Sequence, residues 1–314
     1  MIIESSAPCR LSLFGGGTDI PSYSDLYGGM CISLATNLRA HTILYTGEDL
    51  FTIVRNEVPY HGELEFMHTI FTHFKMGSFH DVRFISKSDA LLLSGLGTSA
   101  ASVVATIGAI SKAKGLKLTK AEIAETAWEI ENKELGLYSG RQDTYASAYG
   151  GFNALAFSKN KVEVLPLDRK MIDQLLPALV LIHTGFTREN PKIQEGFKKL
   201  TKEQIEKLDQ IKSIAEAALP PLQSGDIETI GALLDESWEL KKKSNKGVSN
   251  AKIDAIYSKA MKLGAYGFRL CGAGGGGYAL CIVNPNKKEK FIEELGCDWV
   301  DFEISFDGLL TRIL

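Results

Sequence analysis

The chain has 314 residues, of which 45% are hydrophobic and 23% charged, and its formal net charge is −3. This is a globular composition, long enough for two lobes sharing a cleft, and its charge excludes a general attraction to nucleic acid. No window approaches the ~20 apolar residues of a membrane span, so the expected partner is a small molecule, with neither nucleic acid nor membrane; oligomeric state is left open.

The opening residues 1–6 carry neither the basic flank nor the apolar stretch of a secretory signal, which implies a cytoplasmic protein. Cys9, Cys31, Cys271, Cys281 and Cys297 are scattered, without metal-site spacing, and are expected as reduced thiols. Up to about residue 90, short β-prone runs alternate with turns at 11–14, 30–35, 41–45, 52–55 and 82–86. Helical periodicity follows at 103–112 and 119–135, the latter opening on a capping-box pattern of Thr119 and Glu122. A short helix begins near Asp143 and closes at Gly150 and Gly151, and runs 152–157 and 162–165 read as a hairpin.

A boundary near residue 170 divides the chain into predicted domains 1–170 and 171–314. The second half opens with an apolar strand at 178–183 and continues with helical stretches at 191–218, 227–242 and 251–263. β-prone runs return at 267–270, 278–283, 299–304 and 309–313, with a helix at 287–295, which predicts an α+β lobe with one sheet. Lys241, Lys242 and Lys243, with Lys246, read as a solvated helix C-terminus.

Three glycine-rich segments stand out: Gly15-Gly16-Gly17, Gly95-Leu96-Gly97, and Gly272-Ala273-Gly274-Gly275-Gly276-Gly277. Glycine lets a ligand approach main-chain N–H groups. The middle segment lies between a β-prone run and a helix start near Ser99, and a helix N-terminus behind a glycine loop offers oriented donors to phosphate. A P-loop is excluded because no lysine follows these glycines, and a dinucleotide fingerprint because the third glycine is missing at the middle segment. Gly272 to Gly277 has that fingerprint's spacing, but a β-prone run follows it where the motif requires a helix.

Three runs of residues, in this order, carry a resemblance: Ala7-Pro8-Cys9-Arg10-Leu11-Ser12-Leu13-Phe14-Gly15-Gly16-Gly17-Thr18-Asp19, Gly95-Leu96-Gly97-Thr98-Ser99-Ala100-Ala101, and Cys271-Gly272-Ala273-Gly274-Gly275-Gly276-Gly277. They resemble the three signature motifs of the GHMP kinases. The match covers nearly the whole chain. One departure is Ala90-Leu91-Leu92-Leu93, where relatives often carry prolines and a glycine. The resemblance implies an α+β fold of two lobes, the N-terminal one like ribosomal-protein S5 domain 2 and the C-terminal one ferredoxin-like, with the active site between them. It also implies ATP and Mg²⁺.

Under the same resemblance, Ser94, Gly95, Leu96, Gly97, Thr98, Ser99 and Ala100 bind the nucleotide, with Ser99 as a ligand to Mg²⁺ or phosphate; from local structure alone Ser99 is also a helix N-cap. The segment Trp128-Glu129-Ile130-Glu131-Asn132 resembles the family's metal-ligand helix, the match landing on Glu131, and one carboxylate suffices for Mg²⁺. Asp143, in Gly140-Arg141-Gln142-Asp143, matches the catalytic aspartate, acting as base or as electrostatic orienter of the acceptor hydroxyl; a helix N-cap is the plainer alternative. Arg10 matches the cation that stabilises the developing alkoxide, and arginine stays charged at any working pH.

The acceptor side is assigned Gly16, Gly17, Thr18, Asp19, Arg141, Thr187, Arg188, Gly274 and Gly275, with Asp19 matching the position where sugar kinases of the family hold a sugar hydroxyl. The Gly-Arg-Gln-Asp element is similar to a narrower branch containing the D-glycero-D-manno-heptose 7-phosphate kinases and fucokinase-type enzymes. A sugar phosphate would require cations in the acceptor pocket, and Arg141, Arg188 and Lys192 are the candidates, arginine because its fork grips phosphate bidentately. The resemblance therefore implies a sugar-1-kinase making the 1,7-bisphosphate of heptose 7-phosphate. The alternatives are a 1-kinase for a free sugar such as fucose, and a non-catalytic sugar and ATP sensor of the same fold.

Overall fold

The computed structural model describes residues 1–46, 63–76, 82–91, 94–186, 198–244 and 247–314. The predicted strand at 52–55 lies outside the described residues, as do Leu92, Leu93 and Lys246. Two long strands, β1 (Ile2–Phe14) and β2 (Gly29–Thr46), pair antiparallel from Ile2 opposite Tyr45 to Phe14 opposite Ile32. The predicted runs 30–35 and 41–45 are thus parts of one strand. β1 alternates buried and partly exposed positions at its start, then is buried throughout from Ala7 to Phe14, where helices and the second lobe cover it. A register shift between Pro8 and Arg10 interrupts the ladder. Such a bulge re-aims the side chain that follows it, and here that is Arg10.

β2 is long enough to serve two neighbours on its other edge. Its residues 29–34 pair with β4 (Phe152–Ser158), which makes a hairpin with β5 (Lys161–Pro166), and residues 40–46 pair with β3 (Val82–Ser88). The last strand, β10 (Leu310–Ile313), pairs with β1, from Ile3 opposite Ile313 to Ser6 opposite Leu310. This corrects the assignment of 309–313 to the second lobe's sheet: β-propensity marks a strand without naming its partner, because pairing is settled by packing. The predicted strand 299–304 is likewise shorter. Only Trp299 and Val300 form β9, whereas Ile304 bridges Thr36 in the first sheet as the chain crosses back.

Helix α3 (Thr98–Ala113) lies across β1 and β2, and its run of alanine, valine and isoleucine buries nearly every position. Gly108 permits that approach, since a Cβ there would lie 2.8 Å from Ser5 Oγ and from Leu309. Helix α4 (Lys120–Glu129) begins on the predicted capping box, with both Thr119 and Glu122 bonds formed. It ends in a π-helical turn, Ile130–Glu134, which periodicity did not reveal. Helices α1 (Pro21–Tyr27) and α2 (Glu63–His73) were also not predicted; α5 (Gln142–Tyr149) was, and closes at Gly150.

The second sheet has the order β7-β8-β6-β9, from β6 (Leu179–His183), β7 (Gly267–Leu270), β8 (Tyr278–Ile282) and β9, all neighbours antiparallel. After α6 (Arg169–Leu175), helices α7 (Lys202–Ala217), α8 (Leu219–Ser224), α9 (Ile227–Ser244), α10 (Ala251–Lys262) and α11 (Lys288–Leu295) complete this half. α9 sits close against β7 because glycines meet there: a Cβ on Gly267 would fall 2.0 Å from the Gly231 carbonyl oxygen. That contact carries the C-terminal part of α9 and the end of β7 toward the first lobe.

The lobes meet through glycine. A Cβ on Gly95 would lie 2.5 Å from the Cys271 carbonyl oxygen, one on Gly272 2.5 Å from Gly95 Cα, and one on Gly277 2.4 Å from the Ser94 carbonyl oxygen. The Tyr278 N–H donates to that Ser94 oxygen at 2.9 Å. Gly95→Ala adds this backbone clash to a left-handed φ of +84°, whereas Gly115, at φ +66°, has open space around it. Gly115→Ala is expected to cost about 1 kcal/mol from backbone conformation alone, and Gly95→Ala at least about 3 kcal/mol. Paired urea melts of the two variants measure the difference, and equal losses would remove steric interlocking as the reason for Gly95.

Candidate active site

A cleft of about 360 Å³ lies where the glycine segments converge, lined by residues from both halves of the chain. Arg10 lines it and is only 4% exposed. Its Nε donates to Asp143 Oδ1 and its Nη2 to Asp143 Oδ2, both at 2.7 Å, while Nη1 donates to the Gly95 carbonyl oxygen at 2.5 Å. The Arg10 main-chain N–H donates to the Leu96 oxygen at 2.8 Å. Burial opposes the charge on Arg10, but the Asp143 carboxylate outweighs it and raises the guanidinium's proton affinity.

The N-cap of α3 is Gly97, in a left-handed conformation with no side chain capping the helix start. Ser99 is therefore not the cap: it lies in the first turn and lines the cleft, as do Ser94, Gly95, Gly97, Thr98 and Ala100. Leu96 is instead buried in the core. An uncapped helix start behind two left-handed glycines presents N–H donors that can hold an anion. Asp143 is not a cap either. Arg141 occupies that position in α5, and both Asp143 oxygens are held by Arg10.

Asp19 is pinned by main chain. Oδ1 accepts from the Gly17 N–H and Oδ2 from the Gln142 N–H, each at 3.0 Å. Gly140 makes room for it, since a Cβ there would lie 1.8 Å from Asp19 Oδ2. Burial, then the nearby Asp143 charge, raise its pKa. Thr18 supports the loop: its hydroxyl donates to the Gly15 oxygen and accepts from the Met30 N–H. Gly16, Gly17 and Gly274 line the cleft, whereas Thr18 and Gly275 do not.

Glu131 enters the cleft from the π-helical turn, whose widened geometry is closed by the Leu135 N–H donating to the Ile130 oxygen. The returning loop is clamped: the Ser139 hydroxyl donates to Glu131 Oε2 at 3.1 Å and its N–H to Asn132 Oδ1 at 3.0 Å. Burial, with the Asp143 charge second, pushes the Glu131 carboxyl up to about 8. No group of three or more His, Cys, Asp and Glu side chains among the described residues forms a metal cage. A hard cation completed by phosphate oxygens and water needs only one or two protein oxygens, and the buried Glu131 carboxylate with the Ser99 hydroxyl fits that demand.

The structure separates Arg141 from the cleft. Its guanidinium pairs with Glu125 Oε1 at 3.2 Å and Asp25 Oδ1 at 3.4 Å and stacks over Trp128 at 4.0 Å. Thr187, Arg188 and Lys192 lie outside the described residues. Two cations not foreseen line the cleft instead: Arg269, on β7, and Lys241, on α9. The reading of the lysine run as a solvated end holds for the exposed Lys243 but is corrected for Lys241, whose Nζ donates to the Gly272 oxygen. Consecutive helical residues point about 100° apart, so a three-residue run cannot lie wholly on one face.

Burial, and then repulsion from Arg269, lower the Lys241 pKa to about 7. The unfolded chain thus binds more protons than the native one between about pH 7 and its ordinary value of 10.5, and stability rises with pH through that window. The penalty is full below pH 7. Lys241→Met is therefore expected to gain most in ligand-free melting temperature, relative to the parent, near pH 6, and to lose that advantage progressively toward pH 10. A pH-independent difference would mean that Lys241 is not held against its charge.

Comparison with known proteins identifies the family. The N-terminal GHMP kinase domain model matches residues 65–151 and the C-terminal one residues 215–301. The chain is 35% identical to the D-glycero-alpha-D-manno-heptose 7-phosphate kinase of Campylobacter jejuni, with 93% of each protein covered. A crystal structure of a D-glycero-D-manno-heptose 1-phosphate kinase from Bacteroides thetaiotaomicron superposes with a TM-score of 0.78 at 29% identity, covering 99% of both chains. The galactose complex of Lactococcus lactis galactokinase, 18% identical, shares the fold with a TM-score of 0.77 over 100% of this chain and 95% of that one. By motif, by domain match and by full-length similarity, the chain belongs to the GHMP kinases and is an ATP-dependent phosphotransferase.

Proposed function

We propose that the chain phosphorylates the anomeric hydroxyl of D-glycero-D-manno-heptose 7-phosphate, giving the 1,7-bisphosphate, as a step in nucleotide-activated heptose biosynthesis. The observation that carries this reading is the Arg10–Asp143 pair beside the uncapped start of α3, in a chain similar end to end to a heptose 7-phosphate kinase. The two lobes are read as S5-like and ferredoxin-like, divided near residue 170, with the C-terminal strand β10 returning to the first lobe's sheet.

In this mechanism the N–H groups at the start of α3 and its glycine loop hold the donor phosphates. Asp19 and the Gly16 and Gly17 main chain orient the sugar hydroxyls, and the acceptor hydroxyl lies against Asp143. Its oxygen forms the new bond to the γ-phosphorus, the bond to the β–γ bridging oxygen breaks to release ADP, and its proton passes to Asp143. Arg10 keeps its own proton and offsets the charge developing on the acceptor oxygen. Ser99 and Glu131 would hold Mg²⁺, which neutralises the phosphate charge when bound.

The names of the two heptose relatives differ in the carbon that already bears phosphate, and both reactions would end at the same bisphosphate. Regiochemistry is therefore tested by supplying the acceptors separately. An ADP-release assay with heptose 7-phosphate, heptose 1-phosphate and free fucose, followed by phosphorus NMR, is expected to show turnover with the 7-phosphate and a new anomeric phosphate. Turnover with fucose and none with heptose 7-phosphate would sink the proposal. Asp143→Asn is expected to lower kcat by about 10²- to 10⁴-fold while the ATP dissociation constant holds, because it removes proton acceptance and charge but not the nucleotide's contacts.

A further inference from the structure

Glu131 and Asn132 are neighbours in the π-helical turn, and the chain returns past both side chains at Ser139. Every polar group of Ser139 is engaged in that passage. Its carbonyl oxygen accepts from Trp128 Nε1 at 3.0 Å, and its N–H donates to Asn132 Oδ1 at 3.0 Å. Its hydroxyl lies 2.9 Å from Asn132 Nδ2 and 3.1 Å from Glu131 Oε2. The Leu137 N–H, donating to the Glu131 carbonyl oxygen at 2.8 Å, closes the same loop.

Main chain sets the direction of these bonds, because its groups cannot exchange roles. A peptide N–H only donates, so the Asn132 atom that meets the Ser139 N–H is the amide oxygen. The amide nitrogen is then the atom that meets the Ser139 hydroxyl. It also donates to the Trp128 carbonyl oxygen at 3.1 Å, a group that only accepts, which fixes the same orientation a second time. Since the Ser139 oxygen receives the Asn132 N–H, its single proton is directed to Glu131 Oε2. Glu131 is 4% exposed, and among the described residues that hydroxyl is the one hydrogen-bond partner of its carboxylate.

We infer that Ser139, with Asn132 aiming its hydroxyl, is a positioning residue: it anchors Oε2 and so sets the rotation at which Glu131 offers its other oxygen to a divalent cation. This rests on the reading of Glu131 as a metal ligand. Partners that orient a ligating side chain in this way tune metal affinity nearly as strongly as the ligands do. Ser139 also opens the segment whose Gln142 N–H holds Asp19 and whose Asp143 pairs with Arg10. One stretch of main chain thereby keeps the cation's carboxylate in register with the two carboxylates on the acceptor side.

The test is calorimetric titration of the full chain with the non-hydrolysable imido analogue of ATP, in excess Mg²⁺ and again in excess EDTA. The ratio of the two dissociation constants reads the metal's share of binding. Ser139→Ala is expected to cut that ratio about 10- to 100-fold while affinity in EDTA stays within about twofold. Ser139→Thr keeps the hydroxyl and holds the ratio within about threefold of wild type. Asn132→Ala leaves the hydroxyl unaimed and cuts the ratio by about three- to tenfold. Glu131→Gln cuts it at least as far as Ser139→Ala.

If Glu131→Gln lowers the ratio and Ser139→Ala does not, or if Ser139→Ala weakens binding equally in Mg²⁺ and EDTA, the positioning role is overturned and Glu131 stands as the ligand. A wild-type ratio near one, or a ratio that Glu131→Gln leaves unchanged, overturns Glu131 as the ligand and this role with it.

Discussion

The molecule depends on one buried arginine. A guanidinium withdrawn from water must have its charge and its donors met, and Arg10 meets them with Asp143 on α5 and the Gly95 oxygen before α3. Three segments far apart in sequence are thereby fixed to one another, and the Arg10 main-chain bond to Leu96 ties the same loop a second time. Gly97 completes the arrangement: a Cβ there would stand 3.2 Å from Arg10 Cγ and 3.4 Å from Asp143 Oδ2. The helix start can therefore lie directly over the ion pair. Oriented N–H donors and a fixed carboxylate are set side by side before any ligand arrives, which is the preorganisation that phosphoryl transfer demands.

The remaining charges follow from that arrangement. Asp143 raises the proton affinity of both Asp19 and Glu131, although burial is the larger cause for each. Three carboxylates in so small a space would repel one another at high cost if all were ionised and buried without compensation, and the structure treats each differently. Asp143 has an arginine, Asp19 has main-chain amides, and Glu131 has one hydroxyl. The carboxylate with the least internal compensation is the one suited to a cation. Two further cations, Arg269 and Lys241, line the same cleft from the second half of the chain.

What was legible in the sequence was what lies contiguous in it. The glycine loop and the helix after it sit in a short run whose residue types encode their own backbone geometry, whereas Arg10 and Asp143 were singled out by the resemblance of their runs to family motifs. The α4 capping box was legible in the way the glycine loop was. Arg141 looked like a phosphate ligand because sequence does not reveal that Glu125 and Asp25, 16 and 116 positions away, surround its guanidinium. Lys241 was hidden by its neighbours: Lys242 pairs with Glu239, Lys243 is exposed, and only the helical rotation turns Lys241 inward. Arg269 in a four-residue strand carried no local signal at all. β10 was recognisable as a strand, but its return to β1 depends on the chain crossing back at Ile304.

The glycine runs, alike in sequence, do different physical work. Gly97 opens the start of α3, and Gly16 leaves room for the tip of Arg269. Gly272 and Gly277 let the second lobe's backbone rest against Gly95 and Ser94. That third contact explains why a segment with dinucleotide-fingerprint spacing need not bind a dinucleotide: its first and last glycines touch protein main chain and are followed by β8. The same contact sets the cleft's width. Because it is backbone against backbone, side-chain rearrangement cannot absorb an added methyl group, so the two lobes are held at one separation. Lys241 and Arg269 reach a cleft whose other wall belongs to the first lobe only because that separation is so short.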